Sequence, residues 1–168
     1  SKFSDLVALL SGSNFENRSY EDSITEESYD KLAAGITAFV NQTDYQRFIM
    51  ILQSAGFIDR KLISSHNSIN FAYALYLKLR EEGYSPAVYE RMVKRWFVLS
   101  LLIGRYSGSS ETYIDEDIRR ISAKGIEEVL EIEENSNLGD GFWEFRLPGN
   151  LETSSTGNNA FNVYLAAQ

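Results

Sequence analysis

The sequence has no cysteine, one histidine and two prolines among its 168 residues. Without cysteine the chain can form neither a disulfide nor a thiolate metal site, and this composition fits a reducing compartment. Because proline interrupts helices, its scarcity favours long helices over an all-β or linker-like chain. With His66 as the only imidazole and no Gly-x-Ser-x-Gly motif beside it, no hydrolytic triad is predicted.

The sequence also lacks a long apolar run. The longest run, Trp96–Ile103, has eight residues, whereas a helix that spans a bilayer needs about 20. The sequence begins Ser-Lys-Phe, without the features of a secretory signal peptide. We therefore expect a cytoplasmic protein with no membrane partner.

What the sequence does contain is helical periodicity and a rich supply of aromatic residues. Its 43% apolar and 24% charged residues are typical of a globular protein, and ten Tyr with ten Phe can fill a core. Helices are predicted over residues 3–10, 25–40, 43–55, 68–82, 86–103, 110–124, 126–134 and 159–168. The predicted fold class is therefore all-α, a single multi-helix domain over residues 1–168 with an irregular aromatic segment near 139–157.

Two of these helices carry a further prediction about burial. Leu32, Ile36, Phe39 and Val40 have the spacing of an inward face on the helix at 25–40. The helix at 86–103 ends in the longest apolar run, so its second half should lie at the centre of the core.

The net charge of −8 is distributed unevenly along the chain. Residues 61–124 carry ten Lys and Arg against seven Asp and Glu, whereas residues 125–168 carry one against eight. A phosphate backbone repels an acidic chain, so tight DNA binding by this chain alone is not expected. The basic residues that could contact nucleic acid or a neighbouring domain are Arg91, Lys94, Arg95 and Arg105. The alternative is that these residues pair with the acidic segments of the same chain.

The carboxylates have the spacing of solvated helix faces rather than of a catalytic pair. Glu127, Glu131 and Glu134 fall on one face of a helix, and three acids crowd one turn at residues 115–117. General acid–base catalysis needs carboxylates that converge across a cleft. We therefore predict no catalytic residue, no metal site and no cofactor.

Four stretches together resemble one family: RWFVLSLLIGRYSGSSETYIDEDIRRI (95–121), GFWEFRLP (141–148), LETSST (151–156) and FNVYLAA (161–167). They are similar to the middle region of the large bacterial defence proteins of the GmrSD type, which act against modified foreign DNA. Such proteins have an N-terminal nucleotide-dependent domain with an Asp-Gly-Gln-Gln-Arg signature and a C-terminal nuclease of the HNH class. Neither signature occurs in this sequence. The resemblance therefore implies an excised segment without the catalytic ends.

The function that the resemblance implies is that of a non-catalytic helical middle domain in a modification-dependent restriction-type, anti-phage protein. This domain would couple the nucleotide-dependent domain to the nuclease domain. Its partners would be the flanking domains of the same parent chain and, in the full-length protein, DNA. The alternative is a stand-alone helical module that binds a protein partner through an aromatic groove. The isolated chain is not expected to be an enzyme.

The turn after the apolar run carries the most specific structural prediction. Gly104 should take the left-handed conformation that closes a helix. The resemblance places Arg105 near residues 151–155, where Glu152 is the only charged residue. We therefore expect an ordered corner in which Arg105 bonds to Glu152 or to nearby main-chain carbonyls; the alternative is a turn that binds an anion. The residues that should cap the turn and the following helix are Ser107, Ser109 and Ser110.

Overall fold

The structure is a computed structural model that describes residues 13–14, 19–20, 25–108, 110–152 and 157–168. The chain divides into two compact units, Ser1–Gln42 and Thr43–Gln168. The described part is almost entirely helical, which confirms the predicted all-α fold class. The single domain expected over residues 1–168 stays a prediction.

The first unit contains one described helix, α1 (Thr25–Phe39), and one short antiparallel strand pair. Strands β1 (Ser13–Asn14) and β2 (Ser19–Tyr20) are paired so that Ser13 lies opposite Tyr20. The helix predicted over residues 3–10 lies outside the described residues.

The predicted inward face of α1 is wrong for most of its residues. Leu32 is half-buried, whereas Ile36, Phe39 and Val40 are exposed. Helical spacing shows that these side chains share a face, but a face is buried only where another element covers it. The sequence shows which side chains share a face, but it does not show whether another element covers that face.

Seven further α-helices follow in the described part of the chain: α2 (Gln42–Ser54), α3 (His66–Glu81), α4 (Pro86–Leu102), α5 (Ser110–Lys124), α6 (Ile126–Asn137), α7 (Leu147–Leu151) and α8 (Asn159–Ala166). A 3-10 turn, Arg60–Leu62, and a π-helical turn, Phe142–Arg146, lie between them. The helices predicted from residue 25 onward are all present, and their bounds differ from the predicted ones by a few residues. None of the described helices combines the length and the apolarity needed to cross a membrane.

Helix α4 forms the centre of the core, as its apolar run predicts. It packs against α3, α6 and α8. The Trp96 ring stacks on Phe71 of α3 with centroids 5.5 Å apart, and Phe97 meets Phe57 edge-on at 5.0 Å. Burial of a large apolar side chain contributes about 1.5–3 kcal/mol, so this helix supplies much of the stability of the second unit.

Capping residues explain where the two central helices begin. Ser85 is extended and Pro86 takes the first helical position of α4, where its missing N–H costs no hydrogen bond. The hydroxyl of Ser65 accepts a hydrogen bond from the backbone N–H of Ser68 at 3.2 Å. Helix α3 therefore begins at His66, slightly earlier than predicted.

The described part of the segment near residues 139–157, residues 139–152, is more regular than its glycines and Pro148 predict. The π-helical turn Phe142–Arg146 continues directly into α7. Pro148 lies at the start of α7. A residue in the first turn of a helix needs no backbone N–H for an intrahelical hydrogen bond, so the proline does not interrupt the helix. The indole N–H of Trp143 donates to the carbonyl of Leu138 at 2.7 Å and holds the turn against the end of α6.

A close backbone contact at Gly56 gives the first testable prediction. Gly56 has a φ of +93°, and a Cβ added there would lie 1.7 Å from the main-chain oxygen of Ala166 in α8. Gly83 is the matched control, because its φ is +82° but nothing lies within 4 Å of an added Cβ. In urea unfolding we expect Gly83→Ala to cost about 1 kcal/mol from strain, and Gly56→Ala about 2–4 kcal/mol from strain and displacement of α8. Equal losses would contradict the contact.

Candidate functional site

Helix α4 ends at Gly104 in a Schellman motif, the helix-closing arrangement that requires a left-handed residue. Gly104 has a φ of +64°. Its N–H donates to the carbonyl of Leu101 at 3.2 Å, and the N–H of Arg105 donates to the carbonyl of Ser100 at 3.0 Å. The predicted left-handed conformation of Gly104 is therefore confirmed.

The serines after Gly104 do not act as one set of caps. The hydroxyl of Ser107 donates to the Gly104 carbonyl, within the turn itself. Ser110 is the first residue of α5. Ser109 lies outside the described residues.

The predicted contact between Arg105 and Glu152 is wrong. Arg105 donates from Nε and Nη2 to the two carboxylate oxygens of Asp117 at 2.7 and 2.5 Å, and from Nη1 to Glu133 at 2.7 Å. A guanidinium that loses its water needs carboxylates that are buried with it, and Glu152 is exposed just beyond α7. The burial of Arg105 also removes it as a candidate for contact with nucleic acid.

Asp117 connects Arg105 to the aromatic core. The hydroxyl of Tyr106 donates to Asp117 at 2.8 Å and accepts a hydrogen bond from the indole N–H of Trp96 at 3.1 Å. The Arg105 guanidinium also lies over the Trp96 ring, 5.8 Å from its centroid. The carboxylate of Asp117 therefore accepts three hydrogen bonds, two from Arg105 and one from Tyr106.

Glu133 of α6 is the second acceptor. Besides Arg105 it receives hydrogen bonds from Arg120 and from the side-chain amide of Asn137, the latter at 3.1 Å. We call the whole set the charged cluster; its members are Arg105, Tyr106, Asp117, Arg120, Glu133 and Asn137.

The charged cluster pairs two guanidinium groups with two carboxylates, so its net charge is zero. Asp117 is 0% exposed and Glu133 7%. Burial raises the pKa of the Tyr106 hydroxyl far above its ordinary value, and the charge of Asp117 raises it further. Burial alone would lower the pKa of Arg105, but the hydrogen bond and charge of Asp117, with the charge of Glu133, raise it above its usual value.

The arrangement is suited to holding helices together. Both oxygens of Asp117 and both oxygens of Glu133 already accept hydrogen bonds from within the cluster. A general acid or base must reach a substrate, and these carboxylates are turned away from the surface. Because Arg105 follows α4, Asp117 belongs to α5 and Glu133 to α6, the cluster fixes three helices relative to one another.

Sequence reasoning misses this cluster, although a signal for it exists. It groups Asp117 with the neighbouring solvated acids and does not single out Glu133. Asp117 nevertheless lies between Ile114 and Ile121 on the apolar stripe of α5, and Glu133 follows buried Ile126 at heptad spacing on α6. An acid inside an apolar stripe indicates a buried ion pair, but the sequence does not identify its partner.

The basic residues on α4 are partly paired within the chain. The guanidinium of Arg91 lies 3.8 Å from Glu127, and Nε of Arg95 donates to Glu134 at 3.0 Å. The hydrogen bond to Glu134 raises the pKa of Arg95. Lys94 is half-buried and forms no ion pair with a described residue. For Arg91 and Arg95 this is the intramolecular pairing that the sequence leaves open as the alternative, and a nucleic-acid contact at these residues stays a prediction.

Loss of one charge from the cluster should destabilise the protein strongly. Asp117→Asn leaves Arg105 buried with half of its pairing lost, and we expect a decrease of about 3 kcal/mol in the free energy of unfolding. Asp115→Asn is the matched control on the same helix, because Asp115 is exposed and its ion-pair partner among the described residues is Arg119, one turn away. The control should change stability by less than about 0.5 kcal/mol. Urea titrations with similar midpoints for both variants would contradict a structural role of the cluster.

The pKa of Tyr106 predicts a loss of stability at alkaline pH. A tyrosine in the unfolded chain ionises near pH 10, whereas Tyr106 in the folded chain holds its proton. Its contribution is therefore complete below pH ~10 and is lost as the pH rises further. Above pH ~10 the free energy of unfolding should fall more steeply for the wild type than for Tyr106→Phe, by about 1.4 kcal/mol per pH unit. Equal slopes in urea titrations between pH 9 and 12 would refute the buried hydroxyl.

The chain matches no protein-family model, no curated protein and no solved structure. Among the residues that the structure describes, no group of three His, Asp or Glu side chains could hold a metal ion. The predicted resemblance to the middle region of GmrSD-type proteins stays a prediction.

Proposed function

We propose that this chain is a non-catalytic helical domain of a modification-dependent restriction-type, anti-phage protein, in which it couples a nucleotide-dependent domain to a nuclease domain. The observation that carries the non-catalytic role is the charged cluster. Its two carboxylates and two guanidinium groups form hydrogen bonds with one another. These bonds hold α4, α5 and α6 in one arrangement. A domain that transmits a change between two neighbours has to keep such an arrangement.

The pairing of the α4 cations supports a role in contact with protein rather than tight binding of nucleic acid. Arg95 pairs with Glu134, and Arg91 lies 3.8 Å from Glu127, so carboxylates of the same chain lie beside these two cations and reduce the positive potential of this face. The net charge of −8 adds a general repulsion from phosphate. In the proposed parent protein, DNA would be bound mainly by other domains.

The runner-up is a stand-alone module that binds a protein partner. Exposed aromatic side chains favour it, since Trp143 and Phe145 on the π-helical turn are 50% and 74% exposed. The two proposed functions predict different coding sequences beside the one that encodes this chain. A neighbouring coding segment with the Asp-Gly-Gln-Gln-Arg and HNH motifs in the same reading frame would support the coupling domain, and its absence would support the module.

The proposal predicts an isolated chain without enzymatic activity. The purified 168-residue chain should neither cleave modified or unmodified duplex DNA nor hydrolyse nucleoside triphosphates. It should bind a fluorescent DNA duplex only weakly, with a Kd above ~10 µM at physiological salt that weakens further as salt is added. Cleavage or hydrolysis that copurifies with the chain through independent preparations would overturn the proposal.

A comparison of two triple variants locates any residual DNA binding. If α4 provides the contact, replacing Arg91, Lys94 and Arg95 with Ala removes the binding. The matched control replaces three cations elsewhere on the surface and should leave the binding unchanged: Arg47, Arg60 and Lys61. An equal loss in both variants would mean that binding follows net charge alone.

A further inference from the structure

An apolar groove lies between α3 and α5 on the second unit. Phe71 and Leu75 of α3 and Ile121 of α5 form its floor, and Ile114 and Ile118 of α5 form one wall. The cavity has a volume of about 190 Å³. This is smaller than the roughly 300–1,000 Å³ of most ligand and cofactor pockets, and it suits one or two large aliphatic side chains.

One wall of the groove carries an exposed isoleucine. Ile118 is 53% exposed, although Ile114, Ile118 and Ile121 share one face of α5 at helical spacing. Ile118 therefore keeps apolar surface in contact with water at the edge of the apolar floor, which is unfavourable. A partner that covers the groove would remove this surface from water.

Two features of the lining indicate which partner fits. Ala74 on α3 and Ser122 on α5 are small and exposed, so they allow the backbone of another helix to come close. Lys78 is the charged residue among the described residues of the lining. Its ammonium is 2.7 Å from the carboxylate of Glu82, the residue directly after α3, and both side chains are 41% exposed. Exposed pairs of this type are weak, so Lys78 can also pair with a carboxylate of a partner.

We propose that this groove docks an amphipathic helix of a protein partner, which inserts two large aliphatic side chains one turn apart and places an acidic residue beside Lys78. Helix-in-groove recognition uses anchors at this spacing. The aliphatic anchors supply affinity by filling the apolar floor, and the carboxylate sets the direction in which the helix lies.

This inference names the kind of partner for the domain-coupling role proposed above and rests on it. Different results would contradict the coupling role and the docking proposal. Enzymatic activity of the chain would remove the coupling role, whereas failure of the groove to bind a helix would leave a non-catalytic domain whose contacts lie elsewhere.

The test uses a fluorescent helical peptide of about 18 residues as the probe. The peptide consists of Ala and Gln with two Leu residues four positions apart and Glu residues flanking them. Its fluorescence anisotropy is measured during titration with the full 168-residue chain. We expect a Kd in the range of about 10–100 µM, with binding at least about fivefold weaker for a peptide in which Lys replaces the flanking Glu.

Variants of the chain connect the binding to the groove. Ile118→Ser should weaken binding at least about tenfold. The matched control is Ile58→Ser, because Ile58 is also an exposed isoleucine, 77% exposed, but lies outside the groove. Lys78→Glu should reverse the preference between the two peptides. All three changes lie at the surface, and circular dichroism checks that each variant is folded.

Three results would overturn the docking proposal. The first is absence of peptide binding up to about 1 mM. The second is an equal effect of Ile118→Ser and Ile58→Ser, or an unchanged peptide preference in Lys78→Glu. The third is stronger binding of decanoate than of the Glu peptide, with displacement of the peptide, which would assign the groove to a small amphiphile.

Discussion

The arrangement of α4, α5 and α6 depends on one buried guanidinium group. Removal of Arg105 from water is unfavourable unless carboxylates are buried beside it, and Asp117 and Glu133 provide them from two different helices. Apolar side chains alone tolerate several packings, because dispersion and burial have little directional preference. The bidentate contact with Asp117 has one geometry, so a shift of α5 or α6 would leave a charge unpaired in the interior.

The parts of the structure that the sequence predicts are those that depend on near neighbours in the chain. The helices, the central position of α4 and the left-handed Gly104 follow from spacing, capping residues and a glycine that closes a helix. The partner of Arg105 could not be predicted in this way. Many acids are available to it in the sequence, and only the packing of α5 and α6 determines that Asp117 and Glu133 are carried inside. The exposure of Ile36 is the same kind of error, since coverage of a face depends on distant elements.

Neighbouring residues of α5 place a charge inside and an apolar side chain outside. Asp117 is 0% exposed and pairs with Arg105, whereas Ile118 is 53% exposed. The two placements are connected through α5, because Asp117 faces inward from the same helix that presents Ile118 to the groove. A partner that binds the groove would therefore press on a helix whose position the buried pairs already determine.

The contact between Gly56 and Ala166 has a consequence for how the sequence can change during evolution. In most close contacts, a larger side chain on one side can be accommodated by a smaller one on the other. Here the obstructing atom is the main-chain oxygen at position 166, which every amino acid carries. No replacement of Ala166 can make room for a side chain at position 56. Descendants of this protein that retain α8 in its place should therefore keep glycine at position 56, whatever else in the core has been exchanged.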